Sequence, residues 1–531
     1  MEQIQFNKKE LVESFLKKGL LLSADILKSI ENQNELERVS SLLTSNNTKE
    51  ILVLNDYIGE LLDPGKNSDV NWMEFDRLRV LFEKGKSTKN YSNFLDYLSK
   101  KTEDTRKEVS EESKVKILYS YAEDARNIVV QDFAQHFYNR YSIIERILRN
   151  RQSLKNITSI NRILNKKDKE NVSVIGIIYE KYTTKNNNTI LVLEDRTGYI
   201  KVLINKNNPT LYNLAKGLVL DDTIAVTGVN GENVIFANDI ILPDIPLTNK
   251  VKKAQDEVYA IFLSDMHVGS VNFLGEDFNK FLKWINQETG TEEQMSIASK
   301  VKYIFVVGDL VDGCGVYPEQ EKELLIKDIK EQYAECARLL KRIPENIQLV
   351  ICPGNHDAIR VAEPQPPFYQ DFAQPIYELP NAIIVSNPAM VNIHSSKDFP
   401  GFNILLYHGY SFDYFVAHVD SLRNNGGYDR ADLIMKFLLQ RRHLAPTHTS
   451  NLYIPDMKKD PLVIDPIPDF FVSGHIHKSV TSNHRNVTMI CSSCWQSKTA
   501  FQEKMGHNPE PSRVPIVNLQ TRGVKILKFG K

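Results

Sequence analysis

The segment Cys352–Pro353–Gly354–Asn355–His356–Asp357 sets an amide, an imidazole and a carboxylate side by side where the apolar run Leu349–Val350–Ile351 breaks off in Pro-Gly. A buried strand that turns into a loop reads this way. Asn355 offers a neutral oxygen ligand and His356 can carry a proton near neutral pH, so the tip suits metal-assisted chemistry on phosphate. Four more apolar runs end in ligand types. Tyr259–Leu263 leads into Ser264–Asp265–Met266–His267, where residues two apart in an extended chain face one side and can grip one ion. Tyr303–Val307 leads into Gly308–Asp309–Leu310–Val311–Asp312. There the glycine permits a sharp turn, and the two oxygens of Asp309 can bridge two cations. Asp312 reads as a supporting or capping carboxylate, since one bridge suffices. Phe402–Tyr407 runs into His408–Gly409, and Asp469–Val472 into Ser473–Gly474–His475–Ile476–His477, which repeats the two-apart logic with imidazoles.

Counted together, Asp265, His267, Asp309 and His477 supply one ion, and Asp309, Asn355, His408 and His475 a second. A hydroxide held between the ions would attack phosphorus in line. His356, beside the ligand set, is placed to protonate the departing oxygen, and Asp357 to orient His356 or a ligand. The mixed nitrogen and oxygen donors admit manganese, iron or zinc. Satisfied core histidines and capping acids are the competing explanation, and five strand-end motifs in order weigh against it. Arg360 and His448 are candidate substrate-phosphate contacts, Arg360 with a surface ion pair as its alternative. Gln440–His443 and Lys458–Lys459 are candidate strand-guiding charges. Cys491 and Cys494 have zinc-like spacing without a second pair, and read as a buried strand end.

The elements that must position these residues follow from periodicity. An amphipathic helix is predicted over Glu319–Arg342, so Asp309 and Asn355 end two parallel strands joined by a crossover, where ligands collect at the carboxyl ends. Upstream, Val172–Ile178, Thr189–Leu193, Tyr199–Ile204, Asp221–Val226 and Asn233–Leu242 read as five short strands with a helix at Thr210–Lys216. That pattern predicts an OB-type barrel over 169–250, read as a docking module rather than a nucleic-acid reader. Residues 1–62 read as a small helical module, 63–114 as a charged linker, and 115–168 as a helical lead-in with a packed helix across Phe133–Ile147. The fold class is therefore multidomain α+β, with the metal-ligand motifs on a last domain over 255–531.

Composition excludes several classes. With 42% hydrophobic residues, the chain has material for packed cores. A formal net charge of -1 rules out nucleic-acid binding by bulk charge and leaves local patches or a partner. No apolar run approaches a membrane span, no signal-peptide profile opens the chain, and five scattered cysteines do not make a disulfide framework, which together read as an intracellular soluble protein.

The motif set D-x-H, GD-xx-D, GNHD, HG and GHIH resembles the calcineurin-like metallophosphoesterase superfamily, which implies a β-sandwich with helices outside over 255–531. A barrel directly before it, Ile241–Leu242–Pro243–Asp244–Ile245–Pro246 at the junction, Leu444–Ala445–Pro446–Thr447–His448 and Asn508–Pro509–Glu510–Pro511 are similar to the small subunits of DNA polymerases. Because every ligand position is filled, the resemblance narrows to the archaeal family D polymerase small subunits. It implies 3′→5′ exonuclease proofreading, manganese as the preferred ion, a large catalytic subunit as partner in a heterodimer or higher assembly, single-stranded or mismatched 3′ DNA ends as substrate, and a cytoplasmic, nucleoid-associated place. A stand-alone repair nuclease or phosphoesterase and a mainly structural polymerase subunit are the alternatives.

Overall fold

The apolar runs that carry ligand types at their ends form central strands of two six-stranded sheets. The computed structural model describes residues 115–122, 127–166, 169–504 and 506–530, with the short strands Leu20–Leu22 and Leu52–Leu54. In the first sheet the order is Ala382–Ile384, Gln348–Cys352, Val301–Val307, Tyr259–Leu263, Arg513–Asn518 and Val524–Lys528. Its first four strands run parallel and the last two antiparallel. In the second sheet the order is Val480–His484, Val487–Cys491, Phe470–Ser473, Phe402–Leu406, Ala389–Ile393 and Lys116–Ser120.

Alternate side chains of these strands enter different layers. Phe262, Phe305, Val350, Phe402 and Phe470 fill the space between the sheets. Ile261, Leu263, Ile304 and Ile351 pack outward with Phe278 and Trp284 of the helix Gly275–Ile285. Leu405, Tyr407 and Phe471 pack on the far side with Ile434 and Leu438 of the helix Ala431–Arg441. Burial on both faces is why these strands read as unbroken apolar runs. At about 25 cal/mol per Å² of apolar surface removed from water, that layering holds the strand ends in place.

The expected crossover exists, but its helix is shorter than its periodicity suggested. A 3₁₀ turn, Gln320–Glu323, precedes a helix confined to Ile329–Leu340. Asp328 caps that helix, accepting from the backbone N–H of Lys330 and Glu331 at 2.8 and 3.0 Å. Gln332 explains the break: its buried amide donates to the carbonyl of Ile326 and accepts from the N–H of Gly313, fastening a loop where helix was expected.

Five strands, Asn171–Thr183, Thr189–Asp195, Gly198–Ile204, Thr223–Gly231 and Val234–Ile241, close into a barrel in the order first, second, third, fifth, fourth. The helix Pro209–Lys216 lies between the third and fourth and buries Leu211 and Ala215. Residues 115–168 read as a helical lead-in, but they open with the strand Lys116–Ser120, paired antiparallel with Ala389–Ile393. Three of its five residues are exposed, so it is a strand by pairing rather than by pattern. The helix Val130–Arg149 then follows. Leu20–Leu22, placed in a helical stripe by spacing, pairs in parallel with Leu52–Leu54, since three consecutive leucines suit either period. The remainder of the helical module and the linker over 63–114 lie outside the described residues. Among the described residues no helix is long and apolar enough to cross a membrane.

Candidate metal centre

All five ligand-bearing loops leave the carboxyl ends of parallel neighbours, and they meet. Asp265, His267 and His477 form one group of donors, Asp265, Asp309 and His408 another, and His267, Asp309 and His356 a third, each with ligand atoms within 4.8 Å of one another. The Nε2 atoms of His267 and His477 face each other at 3.1 Å, and His477 Nε2 lies 3.3 Å from Asp265 Oδ1. His408 Nε2 lies 3.2 Å from Asp309 Oδ2 and 3.1 Å from Asn355 Oδ1. Asp265, His267, Asp309, His408 and His477 are buried, whereas Asn355, His356 and His475 are partly exposed. One side of the cluster is closed and the other opens to solvent.

The backbone is bent to achieve this. Asp265, His267, Asp309, His475 and His477 all have positive φ, between 49° and 71°. Non-glycine residues held there carry strain, and such strain gathers at functional sites. The glycines of the motifs leave room for the donors. A Cβ on Gly308 would stand 2.2 Å from His408 Nδ1, one on Gly354 2.2 Å from Asp309 Oδ1, and one on Gly474 2.4 Å from Asp265 Oδ2.

The electrostatics suit cations. Burial by itself would raise the Asp309 carboxyl, but His408, His356 and His267 outweigh it and hold it well below the usual carboxylate range. Burial pulls His408 down, yet Asp309 and Asp265 push it up to about 10. Without metal, buried carboxylates can stay ionised only by drawing protons onto the imidazoles, and a divalent cation satisfies the same charges directly. The donor set, its convergence and the glycine cradles therefore fit a metal group.

Supporting side chains fix the orientation of the donors. His267 Nδ1 lies 3.2 Å from Asp312 Oδ1, which also accepts from the Gln496 amide at 2.8 Å. His408 Nδ1 donates to the Val307 carbonyl at 2.9 Å, turning Nε2 toward the cluster. His475 Nε2 bonds Asp413 Oδ2 at 2.9 Å, and His477 Nδ1 lies 3.0 Å from Gln502 Nε2. Asp413, Gln496 and Gln502 escaped the sequence reading, because nothing in their spacing announces a tertiary contact.

His356 donates Nδ1–H to the Asp312 carbonyl at 2.8 Å, leaving Nε2 available, while its backbone N–H donates to Asp309 Oδ1 at 2.8 Å. Burial holds its imidazole below the usual value. Asp357 does not orient the His356 ring. It accepts from the N–H of Gly354 at 2.8 Å and from the Tyr333 hydroxyl at 3.2 Å, anchoring the loop, and burial with Asp309 nearby raises its carboxyl to about 7.

Other candidates go elsewhere. Arg360 donates to the Pro364 carbonyl at 2.7 Å and lies over the Tyr121 ring. His448 is exposed and accepts from or donates to the Tyr453 hydroxyl at 2.8 Å, outside the donor cluster. Arg441 is buried against Asp222 of the barrel at 2.9 Å, Arg442 donates to the Ile464 carbonyl at 2.6 Å, and His443 meets Asp460 at 2.8 Å, so this run binds the protein to itself instead of guiding a strand. Cys491 and Cys494 are buried free thiols, as read.

A two-sheet α/β domain with buried carboxylates and imidazoles gathered at its strand ends, preceded by a closed barrel, defines a chain equipped to hold metal ions. The DNA polymerase alpha/epsilon B-subunit family matches residues 260–482. The DNA polymerase II small subunit of Methanothermobacter thermautotrophicus is 39% identical over 401 residues, 75% of this chain and 80% of that one. Its counterpart from Pyrococcus abyssi is 40% identical over 405 residues, 76% of this chain and 64% of that one. The chain belongs to the DNA polymerase II small-subunit family. A solved archaeal phosphodiesterase overlaps 51% of this chain and 99% of its own at 12% identity, with a TM-score of 0.24, too low to carry an argument.

Proposed function

We propose that this chain is the 3′→5′ exonuclease of a two-subunit replicative DNA polymerase, removing nucleotides from mismatched 3′ ends. The observation that supports it best is the gathering of the Asp265, His267, Asp309, Asn355, His408 and His477 donors at adjoining strand ends in a polymerase small subunit, with the His475 ring 5.3 Å from that of His408. Asp265, His267, Asp309 and His477 would hold one ion, and Asp309, Asn355, His408 and His475 the other, manganese being the expected metal. Divalent cations, when bound, supply Lewis acidity toward phosphoryl oxygens and acidify water at neutral pH.

The protein's own contribution is orientation and proton transfer. Asp309 joins the two halves of the cluster, because its Oδ2 lies 3.9 Å from His267 Nε2 and 3.2 Å from His408 Nε2, while Oδ1 accepts from the His356 backbone N–H. The Asp312 carbonyl accepts from His356 Nδ1–H, which leaves Nε2 to take up a proton and pass it to the departing 3′ oxygen. The phosphate then stays on the released nucleotide, a 5′-monophosphate. The OB-type barrel over 169–250 docks the large catalytic subunit, which carries synthesis.

The assay is a denaturing gel with 5′-labelled and 3′-labelled oligonucleotides, paired and mispaired, with and without manganese. Manganese-dependent shortening from the 3′ end, faster on mispaired termini, is expected. Shortening only from the 5′ end, or equal rates on paired and mispaired ends, refutes proofreading and favours a general repair nuclease.

A further inference from the structure

A groove of about 620 Å³ opens beside the exposed side of the metal centre. That volume lies within the usual range of small-molecule sites, about 300–1,000 Å³. Five rings line it, Tyr410, Tyr414, Phe133, Tyr453 and His448, with the segment Thr449–Leu452 between the last two and Asp413 at the end nearest the metal centre. Tyr410 follows His408–Gly409 directly, and its ring lies 6.0 Å from that of His475. Asp413 bonds His475 at 2.9 Å, so groove and donor cluster share a wall. From the other side come Phe133, on the helix Val130–Arg149, and the loop carrying His448 and Tyr453.

These rings are held rigidly. Tyr453 stacks on His136 at 5.4 Å and 19° and meets Phe133 edge-on at 5.8 Å. Tyr414 stacks on His418 at 4.1 Å and its hydroxyl bonds Thr449 at 3.1 Å. Yet Phe133, Tyr410, Tyr414 and Tyr453 are only partly buried and His448 is exposed, which leaves ring surface facing the groove. Pre-ordered aromatic rings lose little entropy when a flat ligand stacks on them. Among the described residues no lysine or arginine lines the groove, and its one acid is engaged with His475. The lining therefore offers flat rings to neutral planar groups and no cation to a phosphate.

We infer that this groove is the base-binding subsite of the metal centre. Tyr410, Tyr414 and Phe133 stack the last nucleobases of an unpaired DNA strand, while the phosphate to be cut lies over Asn355, His356 and His475. Paired bases are already stacked within a duplex and cannot also lie on these rings, so the groove selects frayed ends. This inference rests on the phosphodiesterase reading above, and supplies that reading with a physical basis for preferring mismatched termini.

The test uses the full chain in EDTA with single-stranded oligonucleotides carrying 2-aminopurine near the 3′ end, read by quenching and by anisotropy. Quenching is expected when the probe is within the last few nucleotides and should vanish when it is moved far upstream. Tyr410→Ala and Tyr414→Ala should each weaken single-strand binding by roughly 5- to 100-fold, and Tyr410→Phe and Tyr414→Phe should restore it, because the ring and not the hydroxyl does the stacking. Circular dichroism excludes loss of fold, and the probe scan on the unaltered chain does not depend on any variant. Quenching independent of probe position, or alanine variants that bind like the parent, would overturn the subsite. If that happens while the chain still hydrolyses a chromogenic phosphodiester with manganese, only the subsite has failed. Absence of diester and DNA hydrolysis in a chain that still quenches the probe would instead overturn the exonuclease reading.

Discussion

His356 and Asp309 lie within one hydrogen bond of each other yet should fail in opposite ways. His356 makes its contacts through Nδ1 and its backbone, outside the seven proposed ligands, so His356→Ala should retain metal while turnover falls roughly 10²- to 10⁴-fold. Loss of metal from that variant would show that His356 is a ligand. Asp309→Ala should lose both ions together, since one carboxylate faces both halves of the cluster, and elemental analysis showing one ion at full occupancy would reject the bridge. Asp413 acts through His475. Asp413→Asn should weaken binding of the ion assigned to Asn355, His408 and His475 by roughly 10- to 100-fold and leave the other nearly unchanged. Calorimetric metal titration resolves the two, and an equal loss at both would remove Asp413 from this role.

At the scale of elements, the helix Val130–Arg149 is fastened to the two-sheet domain by a buried charge cluster. Arg140 Nε donates to Asp460 Oδ2 at 2.5 Å, His136 Nε2 lies 3.3 Å from the same oxygen, and His443 donates Nε2–H to it at 2.8 Å. His443 Nδ1 accepts from the Ala445 N–H at 3.0 Å, so this imidazole must be neutral. Burial and the Arg140 charge lower it to about 4. An unfolded histidine protonates near 6.5, so the folded form binds fewer protons between those values. Stability should therefore fall as pH drops from about 6.5 to about 4, by as much as roughly 3 kcal/mol from this group. Thermal midpoints across that range should decline more steeply in the parent than in His443→Gln. Identical slopes would assign the acid sensitivity elsewhere.

For the molecule as a whole, the barrel and the two-sheet domain are not separable beads. Arg441 is buried against Asp222 of the barrel, Asp244 receives His484 at 2.7 Å, and Lys116–Ser120 supplies an edge strand to the second sheet. A fragment over 115–531 should fold and hydrolyse a chromogenic diester. One beginning at residue 255 leaves Arg441 without its buried partner and exposes the edge of Ala389–Ile393, so it should melt lower and aggregate. Equal melting of the two fragments, followed by calorimetry, would contradict this. Deleting 169–250 from the full chain should also abolish co-purification with the large subunit.

The sequence alone marked out the five strands that lead into the donor loops, because strands buried on both faces must be apolar throughout, and it named the residues proposed as ligands, because chemistry restricts the residue types that can serve. Asp265 and His267, or His475 and His477, are local pairs whose meaning is written in adjacent letters. The barrel was legible for the same reason, through short runs broken by turn residues. What the tertiary structure decided was every relation between distant segments. Lys116–Ser120 is a strand only because Ala389–Ile393 offers it an edge, and the predicted helix over Glu319–Arg342 is cut short by the contacts of Gln332. Arg441 and Arg442, charged and therefore read as surface, are buried because acceptors from other elements meet them. Asp413 and the aromatic groove belong to the same class: local spacing carries periodicity and chemistry, whereas partnership across hundreds of residues exists only once the chain has packed.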